Sequence, residues 1–225
     1  MTIQLTAPKV IFENRHDAGN KLAAELSQYA NQSAVVLAIP NGGVPVAIVV
    51  ASALKAELEV IISRKIPVPL NPEGGLGALT EDGTIIINED VVKRDGITQE
   101  QIEYEASKVK ASIKERCTKY KGDRPPVKIS GQLAIIVDDG LASGITMMAA
   151  AESVRHRRPK ELVVAVPIAR ESAVNRLRRV ADRVVACAVA SMPKFYLADY
   201  YRQWRDISDD EVVRLLEQWH RRQLH

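Results

Sequence analysis

The sequence predicts an α/β fold in which helices cover both faces of a doubly wound, parallel sheet. Short aliphatic and β-branched runs alternate along the chain with segments whose apolar residues recur every three to four positions. This alternation is typical of parallel strands joined by crossover helices. The runs are continuously apolar, as strands covered on both faces are. The 225 residues, 46% of them hydrophobic and only 4% aromatic, suit one domain with a core of Val, Ile, Leu and Ala.

The first half of the chain contains strand and helix patterns and then an interruption. The predicted elements are a helix over Asp17–Tyr29, a strand over Val35–Ile39, a helix from Pro45 to Leu54, and a strand over Val60–Ser63. Pro67–Gly83 is rich in proline and glycine and predicts a long, mobile loop, a kind of segment that is usually functional. A short strand over Ile85–Asn88 follows.

A long helix is predicted from Thr98, which forms a capping box with Gln101. Its apolar stripe has steps of three and four: Ile102, Ala106, Val109, Ile113, Cys117 and Tyr120. We therefore expect a single domain over residues 1–225, in which residues 66–130 form a small hood made of a flexible loop and this helix.

The second half of the chain returns to regular alternation after a polar connector over Gly122–Ser130. The predicted strands are Leu133–Val137, Leu162–Val166 and Val184–Ala188, and the predicted helices are Thr146–Arg155, Glu171–Arg179 and a final one that Ser208 caps and that reaches Gln223. Ligands of such sheets bind beyond the carboxyl ends of the strands.

Composition narrows the class of protein. The net charge of +3 is compatible with phosphate ligands but too small to indicate nucleic acid. Cys117 and Cys187 form no metal or redox motif, and no signal peptide is visible, so we expect a cytoplasmic protein with unpaired thiols. The apolar stretch Ala34–Leu54 is broken by PNGGVP into pieces too short to span a bilayer, so no membrane partner is expected.

The stretch AIIVDDGLASGIT, residues 134–146, predicts a phosphate site. Small residues after Asp138 and Asp139 allow backbone amides to approach an anion, hydroxyl side chains add donors, and the following helix contributes its positive amino end. The two carboxylates would repel phosphate but can accept hydrogen bonds from vicinal hydroxyls. A phosphate beside a diol is a ribose 5-phosphate. The simpler alternative, a solvated acidic turn before an ordinary helix, would be preferred for an isolated Asp-Asp pair.

VDDGLASGIT resembles the phosphoribosyl diphosphate (PRPP) signature of the type I phosphoribosyltransferases. FENRHDAG, IPNGGVPVA, SRKIPVPLNPEGGLGA and KFYLADYYRQW extend the resemblance over most of the chain, to a largely uncharacterised group of phosphoribosyltransferases. The resemblance implies that Asp138 and Asp139 hold the ribose hydroxyls. It also implies that the 5-phosphate is held by Ala142, Ser143, Gly144, Ile145 and Thr146.

A second loop is expected to bind diphosphate. Asn41, Gly42 and Gly43 follow the Val35–Ile39 strand, and paired glycines permit positive φ and close backbone approach. In the family this is the diphosphate loop, often with a non-proline cis peptide. Arg64 and Lys65 are predicted to end the next strand at the same sheet edge, where adjacent cations suit a diphosphate; a solvated basic pair is the alternative.

The resemblance also implies a reaction. PRPP would transfer ribose 5-phosphate to a nitrogenous acceptor and release diphosphate, with Lys65, Asp138 and Asp139 as catalytic groups. Mg²⁺ would be bound mainly through the ligand with help from the two aspartates, and the Pro67–Gly83 loop would be a lid against water. Relatives of this kind are commonly homodimers.

The acceptor is not identified by the sequence. Ala142 stands where purine-salvage relatives carry a carboxylate that acts on the base, whereas the segment from Lys194 loosely resembles their purine-stacking segment, with Phe195 as the stacking candidate. Packing of Phe195 onto the core is the competing interpretation. Two functional classes remain open: a catalytic phosphoribosyltransferase and a regulatory protein that senses PRPP or a nucleotide without turnover.

Overall fold

The strands and helices alternate as the sequence predicts. The computed structural model describes residues 2–69 and 71–223. Its strands are β1 (Ile3–Leu5), β2 (Ala34–Ala38), β3 (Glu57–Val60), β4 (Ser63–Val68), β5 (Asn71–Thr80), β6 (Ile85–Ile87), β7 (Leu133–Val137), β8 (Glu161–Arg170) and β9 (Arg183–Ala190). Its α-helices are α1 (Arg15–Glu25), α2 (Gly43–Leu54), α3 (Glu89–Asp95), α4 (Gln99–Lys121), α5 (Ile145–His156), α6 (Glu171–Leu177) and α7 (Asp209–Gln223).

Six strands form the central sheet, in the order β1-β9-β8-β7-β2-β3. Every neighbouring pair in it is parallel. Strands β2 and β7 are adjacent and in register from Ala34–Leu133 to Ala38–Val137, so the loops that follow them leave the same edge of the sheet side by side. The predicted fold class, a mostly parallel α/β sheet, is confirmed.

Alternate residues of each central strand pack on opposite faces of the sheet. Val36 and Ile135 belong to the core cluster that contains α1 and α2, whereas Leu37 and Ile136 belong to the cluster that contains α5 and α6. Burying both faces requires apolar residues at consecutive positions. This requirement explains why β2 and β7 are apolar at every position.

The prediction of a long loop over Pro67–Gly83 is wrong. Most of this segment lies in strands β4 and β5, which pair antiparallel, and β6 pairs with β5 to complete a separate three-stranded sheet. The pairing shifts register at Pro67, as expected for a residue that cannot donate to a strand partner. Leu70, within this segment, lies outside the described residues, as do the side chains of residues 72–74.

The strand predicted over Val60–Ser63 is divided between two sheets. Strand β3 of the central sheet ends at Val60, and β4 of the small sheet begins at Ser63. Ile61 and Ile62 connect the two strands and are buried, which is why the apolar pattern runs on across the boundary. The sequence analysis also missed β1 and α3, which are too short to show a clear period.

The long helix has the predicted start and stripe. Thr98 accepts a hydrogen bond from the amide of Gln101, whose side chain accepts one from the amide of Thr98. Ile102, Ile113 and Tyr120 are buried, and the other stripe residues pack against the same core. Helix α4 therefore packs its apolar stripe against the core beside strands β4 and β5 of the small sheet.

Candidate functional site

The loop after β7 forms a tight turn into α5. The amide of Leu141 donates to the carbonyl of Ile168 at 2.9 Å, which ties the loop to β8. Gly144 has φ +76°, a conformation that favours glycine, and α5 begins at the next residue. Ala142 and Ser143 are exposed at the turn, whereas Gly144 is buried. Small side chains beside a helix amino end form a suitable surface for an anion.

The two adjacent aspartates have different environments. Asp138 is half-buried and lines a cleft at the edge of the sheet. Its burial, together with the neighbouring charge of Asp139, raises the pKa of Asp138 well above its ordinary value. Asp139 is buried, and its carboxylate accepts hydrogen bonds from Nε and Nη2 of Arg15 at 2.9 and 2.8 Å.

Arg15 connects Asp139 to a distant part of the chain. The guanidinium lies 4.1 Å from the ring centre of Trp204 and donates through Nη1 to the carbonyl of Arg205 at 2.8 Å. The hydroxyl of Tyr201 donates to the backbone carbonyl of Asp139 at 2.6 Å. Asp139 is therefore held from two sides, and the prediction that it binds ribose remains untested.

A cleft of about 600 Å³ brings several predicted site residues together. It has the size of a small-ligand site, and we call it the central cleft. It is lined by the ends of β2 and β7, by β4, by the start of α5 and by one face of α4: Ile39, Pro40, Ser63, Arg64, Lys65, Pro67, Glu105, Lys108, Val109, Ser112, Asp138 and Thr146. Of the predicted residues, Arg64, Lys65, Asp138 and Thr146 lie on it.

A second cavity, of about 690 Å³, adjoins the turn between β7 and α5, the predicted 5-phosphate loop (residues 142–146), which we call the phosphate loop. Ala142, Ser143 and Ile145 line it, as do Lys65 and Arg176. Arg176 donates to the carbonyl of Ser143 at 2.7 Å. Lys65 lines both cavities, and the start of α5 contributes Ile145 to the second cavity and Thr146 to the central cleft.

Arg64 and Lys65 are near the predicted place but on a different element. They lie within β4 of the small sheet, so the prediction that they end a strand of the central sheet is wrong. Burial, and next the positive charge of Arg116, lower the pKa of Arg64. A lowered pKa means that a cation is electrostatically disfavoured there, and a bound anion would relieve this cost.

The loop after β2 carries the expected non-proline cis peptide, between Pro40 and Asn41. Gly42 has φ −63°, so the expected positive φ is not found. The glycines are needed for close approach to the neighbouring loop. A Cβ on Gly42 would overlap the Asp139 carboxylate, and one on Gly43 would lie 2.8 Å from the carbonyl oxygen of Val137.

The side chain of Asn41 is held by two helices that the sequence analysis did not connect with it. Its oxygen accepts hydrogen bonds from Arg116 at 2.6 Å and from the Tyr120 hydroxyl at 3.1 Å. Its amide donates to the carbonyl of Ile207 at 2.8 Å and to Asp209 at 2.9 Å. Arg116 also pairs with Asp209 at 3.1 Å. Helices α4 and α7 therefore position the loop through Asn41.

Phe195 packs against the core cluster, with its ring centre 5.2 Å from that of Tyr200. This contact is the alternative that the sequence left open, and a stacking role stays a prediction.

Ser63, which the sequence analysis passed over, lies on the central cleft and donates to the carbonyl of Thr146 at 2.8 Å. Among the described residues, none of the helices is long and apolar enough to cross a membrane.

Comparisons with known proteins identify relatives of this chain. A protein of Mycobacterium tuberculosis H37Rv named "Putative phosphoribosyl transferase Rv0571c" is 38% identical over 211 residues, which are 94% of this chain and 47% of that protein. The same figures hold for its counterpart in strain CDC 1551. The chain thus spans about half the length of the curated relatives it matches.

Solved structures extend the likeness. The crystal structure of the TT1426 protein from Thermus thermophilus has a TM-score of 0.76 and 36% sequence identity, and the match covers 92% of this chain and 98% of that one. The AQ2163 protein from Aquifex aeolicus, with a TM-score of 0.50 and 10% identity over 78% of this chain and 74% of that one, shares the fold. The family model of the phosphoribosyl transferase domain matches residues 11–198. The chain belongs to the phosphoribosyl transferase domain family.

Proposed function

We propose that this protein transfers ribose 5-phosphate from PRPP to a nitrogenous acceptor and releases diphosphate. The observation that carries the proposal is the central cleft. It places a carboxylate suited to ribose hydroxyls, Asp138, and the start of the phosphate loop's helix, Thr146, beside two adjacent cations, Arg64 and Lys65. A 5-phosphate, a diol and a diphosphate are the three polar parts of PRPP.

Each part of the proposed substrate has a partner of suitable chemistry. The 5-phosphate would bind the amides and hydroxyls of residues 142–146 at the amino end of α5. Asp138 would accept hydrogen bonds from the ribose hydroxyls. Arg64 and Lys65 would bind the diphosphate, whose charge grows as the bond to the ribose breaks, so their stabilisation is largest in the transition state.

Mg²⁺ is part of the proposal, bound mainly through the substrate. Among residues 2–69 and 71–223, no group of three or more His, Cys, Asp or Glu side chains is placed to hold a metal ion. Mg²⁺ commonly binds one or two carboxylates together with substrate phosphates and water, so Asp138 on the cleft fits this mode. Asp139 is a weaker candidate because Arg15 already pairs with it. When bound, the ion would neutralise diphosphate charge.

The β4–β5 hairpin is the proposed cover of the site. Arg64, Lys65 and Pro67 of β4 line the central cleft, and Gly75 of β5 lines the second cavity. Excluding water would protect the ribosyl cation from hydrolysis and strengthen the charge interactions around it. The lid that we expected from the sequence as a loop is thus proposed as a strand pair.

The test is diphosphate release from PRPP, with Mg²⁺ and a panel of nitrogenous bases. We expect release with at least one base. Lys65→Ala should lower kcat at saturating PRPP by more than it weakens PRPP binding, and Lys110→Ala, which removes an exposed lysine of α4, should not. Wild-type protein that binds PRPP but releases no diphosphate above a Mg²⁺-free control with any base would refute the enzyme and favour the sensor.

A further inference from the structure

The proposed reaction requires a group that takes a proton, and the phosphate loop does not supply one. A nitrogen acceptor that carries a hydrogen loses it when the new bond to the ribose carbon forms. Ala142 of the phosphate loop has a methyl side chain and cannot accept that proton. The inference that follows rests on the proposed function and concerns the same site.

Helix α4 contributes a second carboxylate to the central cleft. Glu105, Lys108, Val109 and Ser112 recur at helical spacing, so they share one side of the helix, and all four line the cleft. Arg116, one turn after Ser112, donates to Asn41 of the diphosphate loop. The side of α4 that carries Glu105 therefore faces the two loops of the proposed site.

The Glu105 side chain is only 12% exposed although it carries a carboxylate. A carboxylate removed from water requires hydrogen-bonding or charged partners. Lys108, one turn further along, supplies one at 2.8 Å and is itself half-exposed. Among the described residues that line the central cleft, carboxylates are found on Asp138 and Glu105.

The two carboxylates are available for different tasks. Asp138 lies at the carboxyl end of β7, next to the phosphate loop, and is assigned to the ribose hydroxyls. Glu105 reaches the cleft from α4, is largely removed from water, and has no role in the proposed binding of PRPP. We propose that Glu105 is the catalytic base, which accepts the proton of an N–H acceptor.

The step balances without another reactant. The acceptor nitrogen forms a bond to the anomeric carbon, the bond from that carbon to the diphosphate oxygen breaks, and its electron pair leaves with diphosphate. The proton of the acceptor nitrogen moves to a carboxylate oxygen of Glu105. The acceptor class that this arrangement selects is a base or amine with a transferable N–H.

Glu105→Gln tests the assignment, because the amide keeps the size of the side chain and cannot act as a base at neutral pH. Glu103→Gln is the matched control, since Glu103 lies on the same helix, is exposed and does not line the cleft. The measurements are kcat for diphosphate release with the best base of the panel, the Kd of PRPP by calorimetry, and the melting temperature.

We expect Glu105→Gln to lower kcat by about 100-fold or more, the range for loss of a general base. Its PRPP Kd should stay within about threefold of wild type and its melting temperature within a few degrees, while Glu103→Gln stays fully active. An active wild type with an equally active Glu105→Gln would overturn this inference alone. A loss of PRPP affinity that matches the loss of kcat would also overturn it and make Glu105 a substrate-binding group. A wild type inactive with every base would overturn the proposed function and this inference together.

Discussion

Replacing Arg15 by methionine should destabilise the protein strongly, because it leaves a carboxylate buried without its partner. The side chains of Arg15 and Asp139 are 9% and 10% exposed, and two N–H groups of the guanidinium point at one carboxylate oxygen. Removing one member of a buried ion pair costs about 3–5 kcal/mol. At about 2–4 °C per kcal/mol for a chain of this length, the melting temperature should fall by about 6–20 °C.

The assay is thermal and urea unfolding followed by circular dichroism. Arg221→Met is the matched control. It breaks a pair with Glu217 in which the side chains are 77% and 53% exposed and 3.5 Å apart, so it should cost well under about 1 kcal/mol. The double variant Arg15→Met with Asp139→Asn should be more stable than Arg15→Met alone, because it removes the unpaired charge and keeps the shape of the side chain beside Gly42.

Two results would refute this reasoning. A loss below about 1 kcal/mol for Arg15→Met, similar to that of Arg221→Met, would mean that Asp139 finds water or another partner when Arg15 is absent. A double variant no more stable than Arg15→Met would mean that the loss comes from the packing of the arginine on Trp204, which lies 4.1 Å from the guanidinium, and not from the buried charge.

Three further predictions concern the loops and the core. Asp138→Asn should weaken PRPP binding about 10- to 150-fold, the equivalent of about 1.5–3 kcal/mol for a lost charge-assisted hydrogen bond. The same variant should not lose stability at neutral pH. The pKa of Asp138 is raised in the folded state. The free energy of unfolding of the wild type should therefore fall as the pH rises from the ordinary carboxyl pKa through the raised one, and Asp138→Asn should lack this fall. Urea unfolding between about pH 4 and 8 tests the direction of the change. Gly42→Ala should cost about 1–3 kcal/mol by overpacking, whereas Gly75→Ala, whose Cβ would meet an ordinary contact at 3.7 Å, should cost far less; equal unfolding midpoints would contradict this. Burial raises the pKa of Cys187 to about 12, so its thiol should react with a disulfide reagent at about pH 8 only after unfolding; rapid reaction of Cys187 in a folded Cys117→Ser variant, which removes the partly exposed thiol, would contradict the burial.

Much of the proposed site was accessible from local sequence because it depends on neighbouring residues. The strand Leu133–Val137, the turn after it and the helix from Ile145 are encoded within about fifteen consecutive residues, by an apolar run, small residues and one glycine with positive φ. Parallel strands end at one sheet edge, so the sequence predicts that the loops after β2 and β7 lie at the same edge, and the strand order then makes them neighbours. The capping box at Thr98 is equally local.

The prediction of a loop over Pro67–Gly83 was wrong because proline and glycine occur in strands as well as in loops. Pro67 and the glycines of β5 suggest a loop when each residue is considered alone, yet Ile66, Leu76 and Ala78 are buried in the paired strands. Glycine also serves where two backbones approach closely, as at Gly77 beside the carbonyl of Ile86. Which use applies depends on the partner strand, and that information is absent from the local pattern.

By itself, the sequence determined the α/β class, the turn between β7 and α5 and the family, since these follow from periodicity and short motifs. Only the tertiary structure decided the separate environments of two adjacent aspartates, the attachment of Asn41 to α4 and α7, and the presence of Glu105 on the central cleft. These contacts join residues far apart in the chain, 124 positions for Arg15 and Asp139 and 75 for Asn41 and Arg116. A charged residue carries no periodic signal of its own, so its partner is defined only when packing brings the two elements together.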